Sequence, residues 1–264
     1  AGLAYNAPAD SLGVNFVNTG DGGVQNGLAD SLGAAEFAGV GSYLQANWNN
    51  MGRWGQNVTL NNSAGVVTGV LLTWDSNNTW NLGGTPATPD AKLMYGYLDA
   101  TGQANINDSP YQFWWNENKP QAYVTGLSAW LAGQGASSYS VIVYTDGDVS
   151  EGRISEYWLQ ASLGGDPPNE LGSDLTSHVF AKDVANFTRF TEISLLSDSV
   201  ESAGEGNFFV FTGLSSDNFI LRTEEQTFRA TINGFQIVAV PEPATATLLA
   251  LGVGALLFRR RVVG

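Results

Sequence analysis

Short apolar runs separated by turn residues recur along almost the whole chain, and they predict β-strands. Apolar and polar residues alternate most clearly at 139–144 and 187–193, as they do in half-buried strands. Clusters of Gly, Asn, Asp, Pro and Ser lie between the runs, and these residues favour turns. The predicted strands lie at 12–17, 66–74, 93–98, 111–115, 123–127, 139–144, 154–159, 187–195, 208–214, 219–222 and 228–238.

This pattern predicts an all-β fold. Roughly eleven strands without clear helical segments between them indicate an antiparallel β-sandwich, because a parallel sheet needs long, usually helical, crossovers. The 32 glycines fit short strands joined by tight turns. Since no linker divides the body, we expect one β-sandwich domain over residues 1–239 and a separate tail over residues 240–264.

The tail carries the most specific motif in the sequence. It contains a Pro-Glu-Pro box, an uncharged apolar stretch at residues 244–258 and an arginine-rich end, in that order. The residues of the box and of the basic end are Val240, Pro241, Glu242, Pro243, Arg259, Arg260 and Arg261. The apolar stretch predicts a single C-terminal hydrophobic helix. At about 1.5 Å per residue it is shorter than a bilayer core of about 30 Å, so we expect only transient membrane contact.

This order of parts resembles the PEP-CTERM sorting signal of Gram-negative bacteria. The resemblance implies export, handling by an exosortase, and a location at the cell surface or outside the cell. The body also resembles uncharacterised PEP-CTERM proteins of Planctomycetes and Verrucomicrobia, and that likeness implies a jelly-roll domain similar to galactose-binding modules, without a known activity. The matching pieces are residues 13–17, 45–50, 139–148, 207–214 and 232–238.

Composition and charge exclude several classes of function. The net charge of −14 would repel phosphate groups, so we expect no nucleic-acid partner. The absence of cysteine excludes thiol catalysis and thiolate metal sites. His178 is the only histidine and has no nucleophile motif beside it, and no spacing selects a catalytic pair among the 25 acidic residues. We therefore expect that the protein is not an enzyme.

Two candidate sites remain, each with an alternative interpretation. Asp146, Asp148 and Glu151 lie between two predicted strands, where they would offer oxygen ligands to a structural Ca²⁺ or form an ordinary Asx-rich turn. No other cofactor is expected. Trp48 and Trp54 flank an Asn-rich segment. Such aromatic residues pack in cores, anchor subunit interfaces or stack on sugars, and these two are the candidate ligand or interface residues.

These features together predict a non-enzymatic structural protein of the cell surface or extracellular matrix. Its expected partners are copies of itself, matrix exopolysaccharide and, during export, an exosortase. Subunits that assemble head to tail would form filaments or layers, with the C-terminal helix packed between them. The alternative is a lectin-like module that binds carbohydrate and is anchored through the tail.

Overall fold

The computed structural model describes residues 10–99, 119–148, 152–164, 170–183, 186–227 and 229–242. In chain order, the strands of this part of the protein are β1 (Ser11–Phe16), β2 (Asn49–Met51), β3 (Gly55–Asn61), β4 (Val67–Asp75), β5 (Asn78–Asn81), β6 (Gly96–Asp99), β7 (Gln121–Thr125), β8 (Ala136–Tyr144), β9 (Ile154–Gly164), β10 (Glu170–Asp174), β11 (Val179–Lys182), β12 (Gly204–Glu205), β13 (Phe208–Leu214), β14 (Phe219–Glu225), β15 (Thr231–Ile232) and β16 (Gly234–Pro241). Its helices are α1 (Pro89–Leu93), α2 (Leu127–Gly133) and a 3₁₀ turn at Gly41–Tyr43.

Most of the strands belong to two sheets. The first sheet has the order β13-β8-β16-β1-β2, and the second has the order β12-β11-β9-β14-β7-β4-β3, with β10 also paired to β9. A small third sheet has the order β15-β6-β5. The prediction of a mainly β fold is confirmed. A purely antiparallel arrangement was wrong, because β1 runs parallel to β2 and β11 runs parallel to β12. The jelly-roll assignment stays a prediction.

The first and second sheets share one hydrophobic core. Apolar side chains of both sheets belong to it, among them Leu12, Val14, Val143 and Ile237 from the first sheet and Leu72, Trp74, Val124 and Leu221 from the second. Burial of this apolar surface is the main favourable contribution to folding. Trp74 is fully buried, and its indole Nε1 donates a hydrogen bond to the Gly52 carbonyl at 2.8 Å.

The first sheet is covered on its other face as well. Ile142, Tyr144 and Val238 point away from the main core and belong to a second apolar cluster. Loop residues complete this cluster, among them Leu32, Ala38, Trp48, Phe187 and Phe190. The last six residues of β8 are consequently all buried, instead of alternating between core and solvent.

Four predicted strands were wrong in whole or in part. Residues 187–195 form only one isolated bridge, between Glu192 and Phe208, because the aromatic residues of this segment pack over the first sheet. The predicted strand 93–98 begins inside α1, whose N-cap residue Thr88 accepts a hydrogen bond from the Ala91 amide at 3.2 Å. The predicted strand 123–127 ends in α2, which buries Leu127.

The predicted strand 228–238 is divided at Asn233, where the chain passes from the third sheet to the first. The predicted strand 111–115 and the predicted C-terminal helix lie outside the described residues. Within the described residues, no helix has the length and apolar character needed to cross a bilayer.

Close packing between β3 and β4 gives a test of the core. A Cβ atom added to Gly55 would lie 2.1 Å from the Trp74 ring. We expect Gly55→Ala to lower the free energy of unfolding by about 1–3 kcal/mol, as overpacking of a buried site does. Urea denaturation followed by tryptophan fluorescence measures this difference.

Gly69→Ala in β4 is the matched control, since nothing lies within 4 Å of a Cβ atom at that position. We expect this variant to be neutral or slightly more stable than the native chain, because alanine restricts the unfolded state. Equal effects of the two substitutions would show that Trp74 does not cover Gly55 in solution.

Candidate functional site

A network of asparagine amides fixes the loop between β1 and β2. Asn50 is buried, and its Oδ1 accepts hydrogen bonds from Asn15 Nδ2 at 2.9 Å and from the Leu32 amide at 2.8 Å. Its Nδ2 donates to Asn26 Oδ1 and to the Leu32 carbonyl, both at 2.9 Å. All four hydrogen-bonding positions of this amide are thus occupied. The loop is held against β2 by its own sequence.

A cleft of about 550 Å³ lies beside this loop. We call it the amide cleft, because three asparagines are among the residues that line it. The lining side chains relevant to binding are Asn26, Asn47, Asn61, Trp48, Glu36 and Lys92. The volume falls within the range of about 300–1,000 Å³ that small-molecule sites occupy.

The polar groups of the amide cleft are held in place by neighbours. Asn61 is fixed through its backbone, which exchanges two hydrogen bonds of 2.9 Å with the Asn49 side chain. Asn47 has a left-handed backbone with φ of 54°, and its Nδ2 donates to the Ser63 carbonyl at 2.8 Å. Lys92 Nζ donates to both oxygens of Glu36 at 2.8 Å, and this hydrogen bond lowers the pKa of Glu36.

The two candidate tryptophans have different surroundings. Trp48 is only 5% exposed and forms a wall of the amide cleft, with its ring edge-on to Tyr144 at 6.0 Å. Its Nε1 donates to the Gln45 carbonyl at 3.0 Å. Trp54 is half-buried and lies over Gly22, where an added Cβ would be 2.3 Å from its ring. Trp48 is therefore the one of the pair that contributes to the cleft lining.

Asp146 and Asp148, two of the predicted calcium ligands, interact with different partners. Asp148 accepts hydrogen bonds from Arg153 at 2.9 Å and from the Tyr97 hydroxyl at 3.1 Å. Asp146 is buried and interacts instead with Asp183, a residue that sequence spacing did not select. Glu151 lies outside the described residues. Among the described residues, no three His, Cys, Asp or Glu side chains are placed to hold one metal ion together.

Asp99 lies near Asp148, since the Arg229 guanidinium is 3.0 Å from Asp99 and 3.8 Å from Asp148. Its side chain is completely buried, and its Oδ2 accepts a hydrogen bond from Arg229 at 3.0 Å. Burial raises the pKa of Asp99 to about 7, and the charge of Arg229 opposes this rise. Because Asp99 and Arg229 lie 130 positions apart in the chain, no local pattern in the sequence indicates that they meet.

His178 has a defined structural environment on the second sheet. Its ring stacks on Trp158 with centroids 4.6 Å apart and planes 9° apart. Its Nδ1 contacts Glu156, and its Nε2 lies 3.2 Å from Asp174 Oδ2. Burial lowers the pKa of His178, but hydrogen bonds and charges from the two carboxylates more than offset this effect, so the pKa is raised. His178 is thus held between the Trp158 ring and two carboxylates.

This environment predicts a pH dependence of stability. A histidine whose pKa is raised on folding stabilises the fold fully below the unfolded-state value of about 6.5. The contribution is lost as the pH rises through the folded-state value. Proton NMR of the single histidine should give a pKa above 6.5, and Asp174→Asn should lower it.

His178→Gln is the control for the stability measurement, because glutamine does not titrate. We expect the decline of the unfolding free energy above pH 6.5 to be smaller in this variant than in the native chain. A pKa at or below 6.5 in the native chain would contradict the contacts with Glu156 and Asp174.

The beginning of the sorting motif is part of the fold. Val240 and Pro241 are the last residues of β16, paired with Ser138 and Ala136 of β8, so the predicted domain boundary after residue 239 falls inside this strand. The Glu242 amide donates to the Gly135 carbonyl at 3.4 Å, and the Ser137 hydroxyl donates to the Glu242 carboxylate. Pro243 and the three arginines, Arg259, Arg260 and Arg261, lie outside the described residues.

Comparison with known proteins identifies this motif. The model of the PEP-CTERM protein-sorting motif matches residues 239–261. No curated protein and no solved structure matches the chain. The predicted PEP-CTERM signal is thus confirmed, whereas the likeness to Planctomycetes and Verrucomicrobia proteins and a Gram-negative source stay predictions. The chain is an exported, cell-surface-associated protein that carries a PEP-CTERM signal and is sorted by an exosortase.

Proposed function

We propose that the folded domain is a non-enzymatic binding module that attaches to neutral polysaccharide of the extracellular matrix. The observation that carries this proposal is the amide cleft, in which Asn26, Asn47 and Asn61 line one concave surface. A side-chain amide both donates and accepts hydrogen bonds, as a sugar hydroxyl does. Asparagines held in fixed positions therefore suit a polyhydroxylated ligand.

The charges of the cleft favour a neutral ligand over an anionic one. Glu36 and Lys92 form an ion pair with each other, so together they add no net charge to the lining. The chain as a whole has a net charge of −14, which repels an anionic polymer. Because Trp48 is 5% exposed, binding would depend on hydrogen bonds more than on ring stacking, and we expect modest affinity for each sugar unit.

Asn61→Ala tests the cleft directly. The variant removes one amide while the backbone contacts of residue 61 with Asn49 are kept. We expect affinity for the preferred neutral oligosaccharide to fall about five- to tenfold, as the loss of one hydrogen bond worth about 1 kcal/mol implies. Isothermal titration with glucan, mannan and galactan oligosaccharides measures this loss.

Thr59→Ala is the matched control, since Thr59 is an exposed residue of the same strand and does not line the cleft. Its affinity should equal that of the native chain. The proposal is wrong if the native chain binds none of the neutral oligosaccharides, or if both variants lose affinity equally.

A structural role through self-association is the second candidate. Phe37 is 62% exposed and Leu44 is 50% exposed, and both line a hollow of about 240 Å³ with Tyr43 and Val238. Large exposed apolar side chains that lie together favour a protein–protein contact. Filaments or layers in which the C-terminal helix packs between subunits would be one form of such assembly.

Light scattering over a concentration series separates this candidate from a monomeric module. We expect the native chain to show a mass that rises with concentration, and Phe37→Ser to shift this rise to higher concentration. Leu196→Ser is a suitable control, because Leu196 is 84% exposed and does not line the hollow. A constant monomer mass in the native chain would eliminate this candidate.

A further inference from the structure

The chain contains two Asn-Gly dipeptides, Asn26-Gly27 and Asn233-Gly234, and their surroundings are opposite. Asn26 and Gly27 are both exposed in the loop between β1 and β2. Asn233 is completely buried between β15 and β16. An asparagine followed by glycine reacts with its own backbone more readily than other asparagines do, because glycine has no side chain to hinder its nitrogen. The two dipeptides therefore allow a comparison within one molecule.

The atoms of Asn26 and Gly27 that would react are accessible to each other. Among the described residues, none accepts a hydrogen bond from the Gly27 amide or from Asn26 Nδ2. A Cβ atom added to Gly27 would have nothing within 4 Å. Asn26 Oδ1 accepts a hydrogen bond from Asn50 Nδ2 at 2.9 Å. Negative charge develops on this oxygen when a nucleophile attacks Cγ, so a donor held beside it favours the attack.

The corresponding atoms of Asn233 are held by hydrogen bonds. Asn233 Oδ1 accepts from the Asp146 amide at 2.6 Å, and Asn233 Nδ2 donates to two backbone carbonyls at 2.8 and 3.2 Å. A Cβ atom added to Gly234 would clash with the Val14 carbonyl oxygen, so β1 lies directly against this glycine. Movement of the Asn233 side chain toward the Gly234 nitrogen would break all three hydrogen bonds in a site without water to replace them.

We propose that Asn26 is a modification site, at which the native protein converts its own asparagine to aspartate and isoaspartate. The Gly27 nitrogen attacks Asn26 Cγ and loses its proton, and Nδ2 leaves with that proton as ammonia, so that a succinimide ring closes. Water then opens the ring. Cleavage of the new bond between the nitrogen and Cγ gives aspartate, and cleavage of the original peptide bond gives isoaspartate. Water is the only co-reactant in this sequence of steps.

The modification changes the lining of the amide cleft, to which Asn26 belongs. Either product adds one negative charge and removes the hydrogen-bond donors of the amide. The aspartate product keeps an oxygen that can accept from Asn50 Nδ2, so it preserves the contact between the loop and β2. The isoaspartate product lengthens the main chain by one methylene group and moves the carboxylate away from that contact. The reaction itself does not depend on what the cleft binds.

Peptide mapping of the full chain tests the site. The protein is incubated at mildly alkaline pH, in buffer and in concentrated urea, and the conversion of each asparagine is followed by mass spectrometry. A protein-isoaspartate methyltransferase detects the isoaspartate product. In buffer we expect Asn26 to convert roughly a hundredfold faster than Asn233, because three hydrogen bonds raise the barrier at Asn233. In urea, where neither side chain is held, the two asparagines should convert at similar rates.

Asn26→Gln is the matched control, because glutamine keeps a side-chain amide but would have to close a larger and less favoured ring. The modified peptide should be lost in this variant, while conversion of Asn233 in urea stays the same. The proposal is overturned if Asn26 of the native chain stays intact in buffer while both asparagines convert in urea, since the fold would then protect both. Equal rates of Asn26 and Asn233 in buffer would also overturn it, because the fold would then not select between them.

Discussion

Burial of the first sheet on both faces is the constraint on which the other features of the structure depend. A sheet covered on one side can leave polar groups in water, but here loops cover the second side and exclude water from it. Gln236 shows the consequence, since its Nε2 donates to the Tyr43 carbonyl at 2.7 Å and to Gln45 Oε1 at 2.8 Å. Each such group left without a partner would cost about 1–3 kcal/mol, so the covering loops must carry amides as well as apolar residues.

This constraint explains why the chain is rich in asparagine and where its cleft lies. Asn233 donates to the carbonyls of Met94 and Gly96 and accepts from the Asp146 amide, so it joins three segments at the point where the chain changes sheets. The Asn50 side chain likewise joins β1 to the loop before β2, through its hydrogen bonds with Asn15, Asn26 and Leu32. Once buried amides hold that loop in place, the space between it and β3 becomes a fixed cleft whose lining is also polar.

Local pattern was sufficient for much of the fold but not for the candidate sites. Strand 208–214 was predicted with the bounds it has, because a run of aromatic and β-branched residues identifies it. Phe187 and Phe190 show the same alternation but pack on a sheet, and spacing cannot separate these two uses of an aromatic residue. The sequence Thr88-Pro89 was an available helix-start signal that the strand prediction for 93–98 overlooked. Contacts such as Asp146 with Asp183 depend on how the two sheets meet, and no short segment contains that information.

The sorting signal and the fold meet within a single strand. β16 lies between β8 and β1 in the first sheet, and its pairing with β8 continues to Pro241, inside the matched motif. Proline donates no ladder hydrogen bond, so it ends the strand at the point where the Pro-Glu-Pro box begins. The residues just before the box, Ile237 and Ala239, are buried in the main core. Val240, Pro241 and Glu242 are themselves exposed, so the start of the box lies on the surface of the domain while the strand that leads to it is anchored in the core.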